Sequence, residues 1–143
     1  MIDKSKELTS SIKLVNDRLN FIGTVGENVP VSIDYIPPAG DNLGYTALEL
    51  LLLSFTSCMG GTMLSSLRKM KKTIESFEMN TRGIRKEEHP QGFKTIYVEI
   101  NIKSPDITNE EMLKVIKLAE DRYCPVWSML KGNVDVEVGY IIS

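Results

Sequence analysis

The sequence predicts an α+β fold, on three observations. Short runs of alternating apolar and polar side chains mark strands at both ends of the chain. Two Ser/Thr-x-x-Glu boxes open stretches with helical spacing. The resulting order, β-β-β-α-β-β-α-α-β, lacks the regular strand–helix alternation of a doubly wound sheet. It predicts a central buried helix against a mostly antiparallel sheet. With 143 residues, the chain is long enough for one ordinary core, so we read residues 1–143 as a single domain.

Residues 11 to 35 read as three strands. Leu19, Phe21 and Val25 alternate with small or polar neighbours, as do Val29, Val31, Ile33 and Tyr35. Asn16-Asp17 and Gly26-Glu27-Asn28 supply the turns, and Pro37-Pro38-Ala39-Gly40-Asp41-Asn42 ends the sheet in a loop. Thr46-Ala47-Leu48-Glu49 is a capping box that should start a helix running through Cys58 to about Lys71. This helix is apolar on nearly all sides until Leu64, which predicts cover on several faces. Its basic end, Arg68 to Lys72, complements the helix dipole.

Two longer strands follow. In the second, Ile96, Val98, Ile100 and Ile102 alternate with Thr95, Tyr97, Glu99 and Asn101, so one face should be covered and the other open. In the first, Phe77 and Met79 share a face and Gly83 is expected to mark a bulge. His89-Pro90-Gln91-Gly92 connects the two. A second capping box, Thr108-Asn109-Glu110-Glu111, opens a helix with core positions Met112, Val115, Ile116 and Ala119. Glu110–Lys114 and Lys117–Asp121 are spaced as i,i+4 ion pairs. Pro125 biases Cys124 away from helical dihedrals and suits the first position of a new short helix. Val134, Val136, Val138 and Tyr140 mark a final strand.

The 17 Lys+Arg and 19 Asp+Glu leave a net charge of -2, which argues against nucleic-acid binding by bulk electrostatics. The charged N-terminus has no apolar stretch behind it. The apolar run Leu48–Leu64 falls short of the roughly 18 or more residues a membrane span needs. A cytoplasmic protein that does not enter a membrane is therefore expected, and there a structural disulfide is uncommon. The two cysteines, Cys58 and Cys124, are then either inert thiols or a redox or catalytic pair. Cys58 lies among Ser54, Thr56, Ser57, Gly60, Gly61 and Thr62, whose small side chains allow close approach by a ligand or chain segment. Cys124, just before Pro125, occupies an N-cap position. From the helix dipole alone it is the better candidate for a stabilised thiolate.

Leu50-Leu51-Leu52-Leu53-Ser54-Phe55-Thr56-Ser57-Cys58, with Tyr123-Cys124-Pro125-Val126 sixty-six positions later, resembles the OsmC/Ohr family. Arg82-Gly83-Ile84-Arg85, Pro90-x-x-Phe93 and the Val134–Val138 strand fit as well, and the resemblance covers about residues 10–142. It implies an intertwined homodimer with two sites at the subunit interface and a thiol peroxidase for organic hydroperoxides. In that chemistry Cys58 becomes a sulfenic acid, Cys124 condenses with it, and an external dithiol reductant restores both thiols. This reverses the ranking of the two thiols drawn from local sequence.

The family peroxidases also use an Arg from the N-terminal strands and a Glu ten positions before the first Cys. Arg18 is the only arginine before Arg68 and is the candidate, although Asn16-Asp17-Arg18-Leu19 departs from the Gly-rich Arg motif of Ohr. Ten positions before Cys58 stands Leu48, and Glu49 falls on the opposite helix face. The pattern therefore resembles the less characterised branch of the family more than Ohr itself. The competing reading is a dimeric binding module for a small lipophilic ligand, or a redox sensor. His89 lacks ligand partners at metal spacing, so neither metal nor organic cofactor is expected. Trp127, Met59, Met63 and Met129 could line an apolar pocket or fill the core.

Overall fold

A computed structural model describes residues 3–143; Met1 and Ile2, the start of the charged N-terminus, lie outside it. The chain forms two compact units that divide at Leu51/Leu52. Elements follow the expected order: β1 (Ser11–Leu14), β2 (Phe21–Thr24), β3 (Val31–Ile33), α1 (Ala47–Lys69), β4 (Ser76–Arg85), β5 (Phe93–Lys103), α2 (Asn109–Leu118), α3 (Pro125–Leu130) and β6 (Asp135–Ile142). A five-residue π-turn, Ala119–Tyr123, which the sequence reading did not anticipate, lies between α2 and α3.

The first unit holds the antiparallel sheet β1-β2-β3. Its register pairs Ile12 with Gly23 and Leu14 with Phe21, and these in turn with Val31 and Ile33. Directly opposed residues share a face, so all six form one apolar surface. Ile12 and Leu14 on that face keep 62% and 50% of their area exposed. The β1–β2 turn forms as expected, with Asn16 Oδ1 accepting the amides of Arg18 and Asn20 at 3.0 and 3.1 Å. Asp34 organises the loop after β3: it accepts the Tyr35 amide at 2.7 Å, Leu43 at 3.1 Å and Asp41 at 3.3 Å. Burial works against ionisation there, but those three amides and the Arg18 charge outweigh it and hold the carboxyl below its usual range.

Helix α1 begins with the expected box, Thr46 and Glu49 exchanging hydrogen bonds at 2.8 and 3.2 Å. It ends at Lys69, two residues before the expected Lys71, which takes a left-handed φ of 60°. At 23 residues it is long and apolar enough to cross a membrane, so the shorter run counted in the sequence understated it. Phe55, Met59, Met63 and Leu67 form a fully buried stripe. Among the described residues that stripe is the buried side of the helix, and Leu53 remains 55% exposed.

The second unit holds the sheet β4-β5-β6, antiparallel between β4 and β5 and parallel between β5 and β6. Phe93, Ile96, Val98, Ile100 and Ile102 point into the core, as their alternation predicts. Gly83 is not the bulge: it pairs regularly with Ile96, and the irregularity falls at Ile84/Arg85. Gly83 is instead required by Phe93, whose Cε1 would lie 2.3 Å from any Cβ there. Helix α2 starts with the predicted box, Thr108 and Glu111 exchanging hydrogen bonds at 3.0 and 3.2 Å. Lys117–Asp121 pairs at 3.5 Å, but Glu110–Lys114 is not among the ion pairs of the described residues. Its neighbour Glu111 reaches Lys72 at 2.8 Å instead.

Candidate functional site

Three contacts seat the central part of α1 on the rest of the second unit. Thr56 Oγ1 lies 3.4 Å from Thr81 Oγ1. One turn later Gly60 meets β4 so closely that a Cβ would sit 3.0 Å from Met79 Sδ and 3.2 Å from Phe77 Cε1. On the α3 side, Phe55 packs edge to face on Trp127, with centroids 5.6 Å apart and planes at 74°. Cys58 lies one turn beyond Phe55, half-buried.

Cys124 reaches the same place from the other direction. The π-turn closes with the Cys124 amide donating to the Ala119 carbonyl at 3.0 Å. Residue 124 is then extended (φ -93°, ψ 100°), as Pro125 requires, and α3 starts at the proline. The Cys124 sulfur accepts the Trp127 amide at 3.4 Å, which makes it the N-cap read from the sequence. Cys58 is near enough to it to raise its pKa, and neither thiol is in a disulfide.

The expected thiolate does not form at Cys124. Burial comes first and the Cys58 contact second, and together they push its pKa up to about 11 despite the Trp127 and Val126 amides. Cys124 is only 2% exposed, so loss of hydration outweighs the partial charge of a six-residue helix. At neutral pH this sulfur is a protonated thiol, and the more accessible of the two is Cys58.

The remaining candidates separate clearly. Arg18, in the first unit, bonds through its guanidinium to the Asp41 carboxylate and the Pro38 carbonyl. Glu49 is engaged by Thr46, whose backbone and side-chain hydrogen bonds lower its pKa. Trp127, Met59 and Met63 are core residues, whereas Met129 is 74% exposed. His89 is exposed in the β4–β5 connection, and no cluster of three or more His, Cys, Asp or Glu could hold a metal among the described residues.

Sequence reasoning missed a groove of about 540 Å³ between α1 and α2, which neither cysteine lines. Gly61 and Thr62, one turn past Cys58, and Tyr123, next to Cys124, line its near end, while Lys69 and Lys114 line it further along. The signal was present as small residues on one face of α1, but its opposite wall depends on tertiary packing.

Two neighbouring unpaired thiols, one on a long helix and one capping a short helix, make this an α+β dithiol protein. The family model described as OsmC-like protein matches residues 40–139, and the chain belongs to that family. Protein YhfA of Escherichia coli K12 is 24% identical over 93 residues, covering 65% of this chain and 69% of that protein. Among solved structures, the OsmC-like protein from Mycoplasma pneumoniae superposes with a TM-score of 0.82 at 20% identity, over 96% of this chain and 97% of the other. The organic hydroperoxide resistance protein OhrB of Bacillus subtilis superposes with a TM-score of 0.65 at 21% identity, over 94% and 98%. At these identities the structural likeness establishes the fold.

Proposed function

We propose that this protein is a thiol peroxidase that reduces organic hydroperoxides in oxidative-stress defence. The observation that carries this reading is that Cys58 and Cys124 are close enough for one to shift the titration of the other, the first half-buried and the second buried and protonated. Cys58, as the thiolate, attacks the terminal oxygen of the hydroperoxide. The O–O bond breaks, an alcohol leaves, and Cys58 becomes a sulfenic acid. Cys124 then attacks that sulfur, its proton leaves with the hydroxyl as water, and a Cys58–Cys124 disulfide forms. Two thiols are oxidised and one peroxide is reduced. An external dithiol restores both cysteines by exchange. No metal or organic cofactor enters these steps.

Arg18 enters the proposal as the cation that favours the Cys58 thiolate, on the strength of the family resemblance. Its present partners are Asp41 and the Pro38 carbonyl, so this role requires the guanidinium to exchange them. The homodimer belongs to the same reading. It is supported by apolar side chains left exposed on β1-β2-β3, Ile12 and Leu14, and on α1, Leu53. A cytoplasmic location completes the reading, since reducing conditions there keep both thiols free.

One equivalent of cumene hydroperoxide followed by thiol titration tests the chemistry. Both thiols should be consumed in wild type, and dimedone should label Cys58 in the Cys124→Ser variant. Survival of both thiols sinks the peroxidase reading, and sulfenate found only where Cys124 alone is retained reverses the roles. Arg18→Lys should lower kcat/KM without unfolding the chain; unchanged kinetics would remove Arg18 from the site. Sedimentation should give twice the chain mass.

The groove favours a second reading, in which the protein binds a lipophilic ligand without turnover. That reading predicts ligand binding with both thiols indifferent to peroxide.

A further inference from the structure

A disulfide between the two cysteines needs their sulfurs, unbonded here, to close to about 2.05 Å. Cys58 is fixed for that step, because it lies on α1 between the fully buried Phe55 and Met59. Cys124 is not on a helix; it joins the π-turn Ala119–Tyr123 to the six-residue α3. Trp127, packed on Phe55, holds the chain after the cysteine. Before the cysteine stand Glu120 and Asp121, and four of the seven ion pairs among the described residues meet on these two carboxylates. Lys131, just past α3, reaches Asp121 at 3.2 Å and Glu120 at 3.7 Å. Lys117, from α2, reaches each of them at 3.5 Å. The Asp121 carboxyl is held below its usual range, first of all by the Lys131 hydrogen bond. Lys131 thereby closes a loop of ten residues from Asp121, and Cys124 lies inside it. A cavity of about 400 Å³ opens on this loop, and every residue lining it falls between 120 and 131, Cys124 and Lys131 included. No other element lines that side, so charge rather than apolar packing fixes the loop there.

We propose that Lys131 is a positioning residue, which through Asp121 and Glu120 holds Cys124 where it can attack an oxidised sulfur on Cys58. In the peroxidase cycle the Cys124 sulfur attacks the Cys58 sulfenic acid, its proton leaves with the hydroxyl as water, and the S–S bond forms. Lys131 takes no part in that redox step. It limits the positions open to the loop and so raises the effective concentration of one sulfur at the other. Lys117 braces the same two carboxylates, so the clamp spans α2, the turn and the end of α3. As a step in peroxide reduction this inference rests on the reading above, whereas the closure itself can be measured without peroxide.

The experiment has a closure arm and a peroxide arm. In the first, one equivalent of dithiobis(nitrobenzoate) forms a mixed disulfide on Cys58 and releases one coloured thiol. Cys124 then attacks the Cys58 sulfur and releases the second, so the second absorbance phase reports closure alone. At one fixed pH, Lys131→Met should leave the first phase unchanged and slow the second about twofold to fivefold, the range for part-exposed ion pairs. Lys131→Arg should restore it. Salt at about 1 M, where screening acts within roughly 3 Å, should slow closure in wild type and leave Lys131→Met unaffected. A purely structural role would lower resistance to urea without touching the second phase. Equal closure rates in wild type and Lys131→Met, or no rescue by arginine, overturn the proposal. In the second arm, cumene hydroperoxide should leave a longer-lived Cys58 sulfenic acid in Lys131→Met, read by dimedone labelling over time. If closure depends on Lys131 but cumene hydroperoxide consumes no thiol, the clamp stands and the peroxidase reading fails.

Discussion

Trp127 meets Phe55 edge to face at 5.6 Å, three residues after Cys124 on one side and three residues before Cys58 on the other. The aromatic pair thus brackets the thiols and ties α3 to α1. Both rings are buried, Phe55 completely and Trp127 to 4% exposure. Trp127→Ala should cost about 3–5 kcal/mol, the usual loss for a buried large aromatic. It should also open Cys124 to thiol reagents in the folded state. Trp127→Phe should retain most of the stability and the protection. Urea unfolding and the rate of thiol labelling check both; a Trp127→Ala protein with Cys124 still protected would show that the pair does not hold the site.

The elevated pKa of Cys124 sets a distinct pH dependence. The folded value, about 11, lies above the ordinary thiol value of 9.0, so the folded state holds its proton more tightly than the unfolded chain. This contribution to stability is therefore complete below pH 9 and is lost as pH rises from 9 towards 11. Iodoacetamide labelling of Cys124 in a Cys58→Ala variant should stay slow at pH 8. Removing Cys58 takes away a secondary cause of the shift, but the main one, burial, remains. Rapid labelling at neutral pH would instead mean that the helix N-terminus wins over burial.

Element order, both capping boxes and the Cys124-Pro125 helix start were legible because each is local chemistry: alternation, a hydroxyl three residues before a carboxylate, a proline without an amide. Four features were not, and the first three depend on tertiary contact. The thiolate assigned to Cys124 from the helix dipole failed because the cost of burial is invisible in sequence. Gly83, read as a bulge, is small because the Phe93 ring lies over it. The Glu110–Lys114 spacing was correct, yet the ion pair went to Glu111 and Lys72, thirty-nine residues apart. The π-turn before Cys124 has no residue pattern that distinguishes it from the end of α2.

Asp34 predicts where acid acts on the first unit. It is almost inaccessible and its pKa is lowered, so its stabilising effect is present above the unfolded carboxylate value near about 3.9 and is lost as pH falls through the lower folded value. Protonation would weaken its hold on the amides of Tyr35, Asp41 and Leu43. Those amides fix the loop that also carries Asp41 and Pro38, the partners of Arg18. Asp34→Asn should therefore mimic acid: amides 35–43 should exchange faster at pH 7 while those of β4 and β5 stay protected. Unchanged exchange across the loop would show that Asp34 is not its anchor.

The adjacent glycines of α1 should respond oppositely to alanine. Each costs the helix about 1 kcal/mol relative to Ala, so a Gly-Gly step at its centre requires a reason. Gly60 has one inside the chain, because a Cβ would press on Met79 Sδ at 3.0 Å and Phe77 Cε1 at 3.2 Å. Its replacement forces β4 and α1 apart by a few tenths of an ångström, which should offset the gain in helix propensity and leave the protein no more stable. Gly61 has no atom within 4 Å of a Cβ. In an isolated chain Gly61→Ala should therefore stabilise by up to about 1 kcal/mol. In the proposed homodimer the uncovered side of α1 is a place where a second copy could pack, and a methyl group at an interface can separate two surfaces. Unfolding at several protein concentrations distinguishes the two cases. Stabilisation that does not depend on concentration means that nothing covers Gly61. Destabilisation that grows on dilution, with a fall in sedimenting mass, puts the partner subunit on that face of the helix.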